Sequence, residues 1–247
     1  MDKFSLYVPN FLPSKECFLP ENNRACPGCG LALGIRQVYK ALGNEIGKAT
    51  WQPLAEEATS EETSDIFGVG KTEISFLRIP GKKANLVLCL DNEAGGSLNE
   101  SLEKPMPSIA VAEGFRYAAT ACPSYPFDLA EKIKRGIEAE GNAYIHILCP
   151  CPQTWQFEPE LTVKVGRWAV ESRAFPLYEV GGGVYQFNVM VPKPRKIADY
   201  LKIQKRFESL SDKEIEDAQS FVENEYKKLD DTIQKYLDTP GIEAASS

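Results

Sequence analysis

Ala143-Tyr144-Ile145-His146-Ile147-Leu148 is a nearly continuous apolar run that contains a single histidine. Such a run, without alternation of polar and apolar side chains, is typical of a strand buried on both faces of a parallel sheet. Residues 128–140, just before it, carry apolar side chains along one helical face, and residues 116–121 have the pattern of a short strand. Strand, helix and strand in this order predict a parallel βαβ unit and an α/β fold.

A second buried strand is predicted over residues 84–90, where another apolar run is closed by Asp91 and Asn92. In α/β folds the residues just past the carboxyl end of such a strand contact ligands. Asp91, Asn92 and Glu93 are therefore candidate site residues, although a simple polar turn explains them equally well. His146, the one histidine of the chain, lies inside an apolar run and is expected to be a buried structural residue.

Cys26-Pro27-Gly28-Cys29 is a tight turn that brings two thiols together, and apolar spacing predicts a helix directly after it, over residues 31–42. Two cysteines are half of a ligand set for tetrahedral zinc or for an iron-sulfur cluster. Cys149 and Cys151 follow the buried strand at 143–148 and could complete the set. Cys17, nine residues before Cys26, is a further candidate ligand or an ordinary free thiol.

Composition and charge argue against nucleic-acid-binding, membrane-spanning and disulfide-rich classes of protein. The chain has 247 residues and a net charge of −7, and it has no basic stripe, so a nucleic-acid partner is not expected. No apolar stretch reaches the roughly 18 residues of a membrane span, and no signal-like segment opens the chain, which favours a cytoplasmic protein. Seven cysteines in such a protein are expected to be thiols and ligands and not a disulfide framework.

Three regions are predicted along the chain. Residues 1–25, rich in proline and apolar side chains, are expected to form an N-terminal arm, and residues 26–180 an α/β domain. Residues 181–247 are expected to add a hairpin, helices and a disordered tail, with a helix over 197–207 and a last helix opened by a capping box at Ser211. Residues 44–66 have almost no apolar periodicity, so a surface loop or short helix is predicted there.

The segment Gly68-Val69-Gly70-Lys71-Thr72 resembles a phosphate-binding turn. It lacks the upstream glycine and the spacing of a P-loop, so taken alone it indicates nucleotide binding only weakly.

Six segments together resemble the β subunit of 2-oxoacid:ferredoxin oxidoreductases, of which pyruvate synthase is the familiar member. The resemblance covers nearly the whole chain, and the ordered set is far more specific than any one segment. The segments are Arg-Ala-Cys-Pro-Gly-Cys-Gly at 24–30, Cys-Leu-Asp-Asn-Glu-Ala at 89–94, Ile-His-Ile-Leu-Cys-Pro-Cys-Pro at 145–152, Thr-Trp at 154–155, Val-Glu-Ser-Arg-Ala-Phe-Pro-Leu-Tyr-Glu-Val at 170–180 and Asp-Tyr-Leu-Lys-Ile-Gln-Lys-Arg-Phe at 199–207.

The resemblance implies a thiamine-diphosphate-binding fold, with a parallel sheet flanked by helices. It implies thiamine diphosphate with Mg²⁺, a [4Fe-4S] cluster, and oxidative decarboxylation of a 2-oxoacid to an acyl-CoA with electron transfer to ferredoxin. Partner subunits of the α, γ and δ types are implied as well. Cys26, Cys29 and Cys151 match cluster ligands, and Asn92 matches the segment near the diphosphate; no residue is assigned a catalytic role.

The chain departs from the family pattern around these cofactors. The family's third cluster cysteine follows Thr-Gly, but the corresponding residues 49–53 contain no cysteine. Cys17 or Cys149 could substitute for it, or the cluster could be lost, altered or replaced by zinc. The family's Gly-Asp-Gly corresponds to Gly68-Val69-Gly70, and valine offers no oxygen to Mg²⁺. The span between these segments is shorter than in the family, and a Tyr-x-Asn-Thr-Gly element after Asn92 is missing.

Two functions from different classes follow from the pattern and its departures. The first is the β subunit of such an oxidoreductase, enzymatic as part of a complex. The second is a non-catalytic paralogous subunit that keeps the fold and its assembly role, with an electron-transfer cluster or a structural zinc at the cysteines.

Overall fold

The structure is a computed structural model, and it describes residues 25–42, 50–53, 73–78, 85–93, 98, 102 and 106–237. Three expectations lie outside these residues: all but the last residue of the arm at 1–25, the turn at Gly68–Gly70 and the tail after about residue 239.

The elements follow one another as α1 (Gly30–Leu42), β1 (Thr50–Pro53), β2 (Glu73–Arg78), β3 (Asn85–Asp91), α2 (Met106–Ala112), β4 (Tyr117–Ala121), α3 (Pro126–Glu138), β5 (Ala143–Leu148), α4 (Pro152–Trp155), a 3₁₀ turn (Pro159–Leu161), α5 (Thr162–Glu171), β6 (Tyr178–Gly181), β7 (Val184–Phe187), α6 (Ile197–Lys202), a second 3₁₀ turn (Lys205–Phe207) and α7 (Asp212–Leu237).

The described strands form one seven-stranded sheet in the order β1-β2-β3-β5-β4-β6-β7. Its centre is parallel, because β5 lies between β3 and β4 and pairs with both in the same direction. The outer pairs are antiparallel on both sides. The predicted βαβ unit is confirmed as β4-α3-β5, and the α/β class with a parallel sheet core is confirmed with it.

Helices cover both faces of the central strands, which explains why these strands lack a polar side. On one face, α1 and α3 pack Val38, Leu129 and Ile133 against alternate strand residues. On the other face, α2 places Ala110 against the intervening positions, among them Tyr144. Both faces of each central strand are therefore buried, as a continuous apolar run requires.

Two features differ from the sequence-based predictions. Residues 50–53, expected in a loop or short helix, form β1, and β2 was not predicted at all. Both are held by antiparallel pairing at one side of the sheet, with β1 at the edge and β2 between β1 and β3. Local periodicity does not reveal such pairing in strands as short as these. The helix predicted over 197–207 is interrupted, because α6 ends at Lys202 and a 3₁₀ turn follows.

The C-terminal elements pack onto the sheet. The hairpin predicted around Gly181–Gly183 is present as β6 and β7, and Phe187 of β7 stacks on Tyr226 of α7 at 4.8 Å between ring centroids. The capping box that opens α7 is also present, since the Ser211 hydroxyl accepts from the Glu214 amide and the Glu214 carboxylate accepts from the Ser211 amide. None of the helices in the described ranges is both long and apolar enough to span a membrane.

A buried carboxylate joins β6 to α3 and β4. Glu179 accepts a hydrogen bond from the Tyr117 hydroxyl at 2.6 Å and also contacts the Arg135 guanidinium and the Gln186 amide. Burial favours its protonated form, but the hydrogen bond from Tyr117 and the charge of Arg135 outweigh burial, so the pKa of Glu179 is lowered from its ordinary value. The carboxylate therefore contributes stability above its unfolded-state pKa of about 4.3, and the contribution disappears as the pH falls through the lower folded-state pKa.

Glu179→Gln is expected to lower the free energy of unfolding at neutral pH by roughly 1–3 kcal/mol, because charge-assisted hydrogen bonds at a buried site are lost. Glu131→Gln is the matched control: Glu131 contacts the same Arg135 but is 44% exposed, against 4% for Glu179, and the change should cost about 0–1 kcal/mol. Denaturant unfolding between pH 7 and pH 3 measures both variants. The Glu179→Gln deficit should shrink below about pH 4; equal deficits for the two variants at pH 7 would contradict the assignment.

Candidate functional site

The two segments expected to carry cofactors leave the sheet side by side. Asp91, the last residue of β3, is in register with Leu148, the last residue of β5. The Cys149 amide then donates to the Asp91 carbonyl at 2.7 Å, which extends the pairing by one step. The Asp91–Glu93 turn and the Cys149–Cys151 segment are thus neighbours at the carboxyl edge of the parallel strands, where α/β folds bind ligands.

The Cys26–Cys29 turn is docked on the Cys149–Cys151 segment. The Gly30 amide donates to the Pro150 carbonyl at 3.1 Å, and a side chain at Gly30 would place its Cβ 2.7 Å from the Cys149 carbonyl carbon. Such a contact is too close for any Cβ atom, so only glycine permits this approach of two backbones. The structure therefore brings the first two predicted ligands next to the strand end that carries the third.

A second contact anchors the same turn from α5. The Thr162 hydroxyl donates to the Gly28 carbonyl at 2.6 Å. Gly28 has a φ of +68°, in the left-handed region, and its Cα faces the Pro159 backbone so closely that a Cβ would lie 2.8 Å from the Pro159 carbonyl carbon. The turn conformation and its packing both require glycine at this position.

The cysteines of this junction differ in exposure. Cys26 is exposed, while Cys29 and Cys151 are half-buried. The Cys29 sulfur accepts a hydrogen bond from the Ala32 amide at 3.5 Å, in the first turn of α1. These three thiols at the carboxyl edge of the described sheet are accessible, as metal ligands must be.

Cys149 is oriented differently. Its side chain is buried in the core between β5 and α1, where it donates to the Ile147 carbonyl at 3.4 Å and faces the Cα of Gly34. Burial raises the pKa of the Cys149 thiol well above its ordinary value, which disfavours the thiolate that binds metals. Cys17, the other candidate for the missing ligand, lies outside the described residues.

Asp91 is a buried carboxylate with two contacts that shape the turn. Its Oδ2 lies 2.9 Å from His146 Nε2, and its Oδ1 accepts from the Glu93 amide at 2.7 Å. His146 is buried and partnered, the structural position that its place in an apolar run predicts. Glu93 has a φ of +47°, a left-handed conformation that is uncommon for a residue with a side chain.

Asn92 lies half-buried between these two residues, at the position predicted for cofactor binding. Its carbonyl accepts from Trp155 Nε1 at 2.7 Å, which links the turn to α4 just beyond Cys151. Gly68 and Gly70, the other predicted cofactor residues, and Val69 between them are outside the described part of the chain.

Trp155 and Arg206 belong to the site, although neither lies in a motif that marks it as a site residue by itself. Arg206 pairs with Glu93 at 2.6 Å, and its guanidinium lies over the Trp155 ring at 4.3 Å. Both residues belong to segments that carry the family resemblance, Thr-Trp at 154–155 and the segment ending in Lys-Arg-Phe at 207. Their presence in those segments was the available signal.

A single metal ion such as zinc needs at least three side-chain ligands that meet at one point. Within the described ranges, no three His, Cys, Asp or Glu side chains converge as ligands of one ion. In a [4Fe-4S] cluster each cysteine binds a different iron atom, so the ligand sulfurs need not meet at one point. Cys26, Cys29 and Cys151 fit the donor chemistry of three such positions.

Several known proteins are similar to this chain over most of its length. No protein-family model matches. The chain is 40% identical to pyruvate synthase subunit PorB of Methanocaldococcus jannaschii over 88% of its own length and 97% of that protein's. It is 34% identical to ketoisovalerate oxidoreductase subunit VorB of Pyrococcus abyssi over 88% of its length and 94% of the relative's, and 28% identical to the PorB of Methanothermobacter marburgensis over 88% and 99%.

The region that matches this chain is longer in the PorB of Methanocaldococcus jannaschii. The alignment with the first PorB spans 291 positions, more than the 247 residues of this chain, so that protein has internal residues that this chain lacks. The chain nonetheless matches almost the whole length of each of these subunits, and it belongs to the family of β subunits of 2-oxoacid:ferredoxin oxidoreductases.

Proposed function

We propose that this chain carries a [4Fe-4S] cluster and thiamine diphosphate in a complex that converts a 2-oxoacid to an acyl-CoA and passes the electrons to ferredoxin. The observation that supports it most is the docking of the Cys26–Cys29 turn on the Cys149–Cys151 segment through Gly30. This contact brings two ends of a ligand set together from positions more than a hundred residues apart. The relatives, all named as subunits of 2-oxoacid oxidoreductases, support the same reaction class.

For the cluster, Cys26, Cys29 and Cys151 are the proposed ligands. Of the two candidates for the fourth position, the orientation of the Cys149 thiol toward Gly34 argues against Cys149. We therefore favour Cys17, which precedes Cys26 by nine residues in the sequence. A thiolate from a partner subunit is the remaining source.

For thiamine diphosphate, Asn92 offers an amide oxygen to the metal-diphosphate unit, and Gly68 and Gly70 are the proposed backbone contacts. Thiamine diphosphate supplies the carbanion that attacks the 2-oxoacid when it is bound. Val69 supplies no oxygen ligand, so the Mg²⁺ site needs further oxygen donors from this chain or a partner. The chain's own contribution is to hold the turn containing Asn92 beside the cysteine junction.

The substrate is proposed only as a class, because the relatives' names include both pyruvate and ketoisovalerate enzymes. Partner subunits of the α, γ and δ types, ferredoxin, coenzyme A and a cytoplasmic location are part of the same proposal. A non-catalytic paralogue is not favoured, since the similar proteins are themselves oxidoreductase subunits.

The test is made on the complex purified anaerobically with this chain. Iron, acid-labile sulfide, visible absorption and bound thiamine are measured, and ferredoxin reduction is followed with coenzyme A and either pyruvate or ketoisovalerate. We expect cluster absorption, bound thiamine and faster reduction with one of the two acids. A complex that contains neither iron nor thiamine on this chain would contradict the proposal, and zinc in place of iron would instead indicate a structural metal site.

A further inference from the structure

We propose that Arg206 is a positioning residue, which holds the Asp91–Glu93 turn in its binding conformation through the side chain of Glu93 and the ring of Trp155. The inference rests on the proposed function in that Asn92, at the centre of this turn, is the residue offered to the cofactor. Arg206 itself lies in the 3₁₀ turn after α6, far along the chain from β3.

The contacts of Arg206 meet the turn at two places. Its guanidinium donates to the Glu93 carboxylate at 2.6 Å and to the Glu93 carbonyl at 3.3 Å. One arginine thus binds both the side chain and the backbone of the residue that has left-handed dihedral angles. Since a left-handed non-glycine residue persists only where its surroundings enforce it, this pairing is a physical reason for the conformation of Glu93.

Trp155 connects the same arginine to Asn92. The guanidinium lies 4.3 Å from the centre of the Trp155 ring and 4.4 Å from that of Phe207, so it is held between two aromatic faces. The other edge of Trp155 donates its Nε1 hydrogen to the Asn92 carbonyl. Movement of Arg206 would therefore disturb Asn92 through the indole as well as through Glu93.

The arginine is itself fixed in place. Gln204, which is fully buried, accepts from Arg206 Nε at 2.9 Å and donates to the Tyr200 carbonyl at 2.7 Å. The side chains of Arg206 and Glu93 are only 10% and 3% exposed. A charge pair so sheltered from water is sensitive to the loss of either partner, because the remaining charge stays buried without compensation.

A lysine cannot reproduce this arrangement. The planar guanidinium of Arg206 donates through three different nitrogens, to the Glu93 carboxylate, the Glu93 carbonyl and the Gln204 side chain, while it stacks on a ring. An ammonium group is a point charge that cannot make all of these contacts at once. The geometry therefore requires arginine specifically, and Arg206→Lys separates the effect of charge from the effect of shape.

The test compares Arg206→Gln, Arg206→Lys and the control Arg195→Gln in the assembled complex. Arg195 makes the same kinds of contact at a more exposed place, since it stacks on Trp168 at 4.4 Å and pairs with Glu171 at 3.1 Å with its side chain 34% exposed. It has no described contact with the turn, so Arg195→Gln controls for the loss of an arginine that stacks on a tryptophan. Hydrogen exchange of the peptide covering residues 89–98 is measured first, without added cofactor, and the dissociation constant of thiamine diphosphate second. Both are measured well below each variant's melting temperature.

Arg206→Gln is expected to speed exchange at the Glu93 amide by about tenfold or more, since the hydrogen bond to Asp91 opens more often. It should weaken thiamine binding by roughly 10- to 100-fold. Arg206→Lys should fall between the wild type and Arg206→Gln in both measurements, and Arg195→Gln should match the wild type.

Unchanged exchange in Arg206→Gln would overturn the proposal, and so would equal effects of Arg206→Gln and Arg195→Gln. If the wild-type complex binds no thiamine but exchange still rises in Arg206→Gln alone, the proposed cofactor is wrong while the positioning role of Arg206 stands.

Discussion

Gly30→Ala is expected to remove most of the iron of the proposed cluster and to destabilise the fold by roughly 1–3 kcal/mol. Helix propensity alone predicts the opposite, because alanine is favoured over glycine in a helix by about 1 kcal/mol. The added Cβ, however, would lie 2.7 Å from both the Cys149 carbonyl carbon and the Pro150 nitrogen. These are backbone atoms that cannot move aside, so the turn at Cys26–Cys29 must shift away from Cys151.

Gly34→Ala is the matched control on the same helix. There the Cβ would meet the Cys149 sulfur at 3.2 Å and side-chain carbons of Leu90 and Pro123 at 3.4 Å. Side chains can adjust by a few tenths of an ångström, so the change in stability should stay within about 1 kcal/mol and the iron content should be kept. Iron analysis and thermal unfolding measure both variants. Normal iron in Gly30→Ala would show that the contact with Pro150 does not organise the ligands.

The centre of the fold could be predicted from sequence because its signals are local and strong. The apolar run at 143–148 has no polar face, and it can only be buried on both sides. The outer strands are different: β1, at the edge, pairs antiparallel with β2, and β2 pairs antiparallel with β3. A strand of four residues has too little pattern to reveal a partner that lies more than twenty residues away.

The candidate site likewise has a part that sequence could suggest and a part that only the fold reveals. Cys26 and Cys29 could be proposed as ligands from the sequence, because a Cys-x-x-Cys spacing has a chemical meaning that does not depend on the fold, and Cys151 from its place after a buried strand and from the family resemblance. The supports were not predictable from composition or spacing, because an arginine such as Arg206 is usually a solvated surface residue. Only the fold brings it under Glu93, and only the fold shows that Cys149 faces the core while its neighbour Cys151 does not.

Cys151→Ala is expected to reduce the iron of the complex by one cluster for each copy of this chain and to slow electron transfer to ferredoxin by at least about 100-fold. The estimate is a lower bound, because residues that merely support metal ligands already cost 10- to 100-fold when they are replaced. Cys151 is half-buried, three residues past the end of β5, and it packs at the margin of a core cluster, so its replacement by alanine should open little space and change the melting temperature of the apoprotein little.

Two other cysteines make this experiment specific. Cys122→Ala removes a fully buried thiol from the core beneath α5 and should keep the iron, with a loss of stability typical of a small core deletion. Cys149→Ala decides the fourth ligand, and we expect it to keep the iron because the Cys149 thiol donates to the Ile147 carbonyl inside the core. Loss of iron in Cys149→Ala would mean that this side chain turns outward when the cluster assembles, and loss in Cys122→Ala as well would mean that iron content reports folding and not ligation.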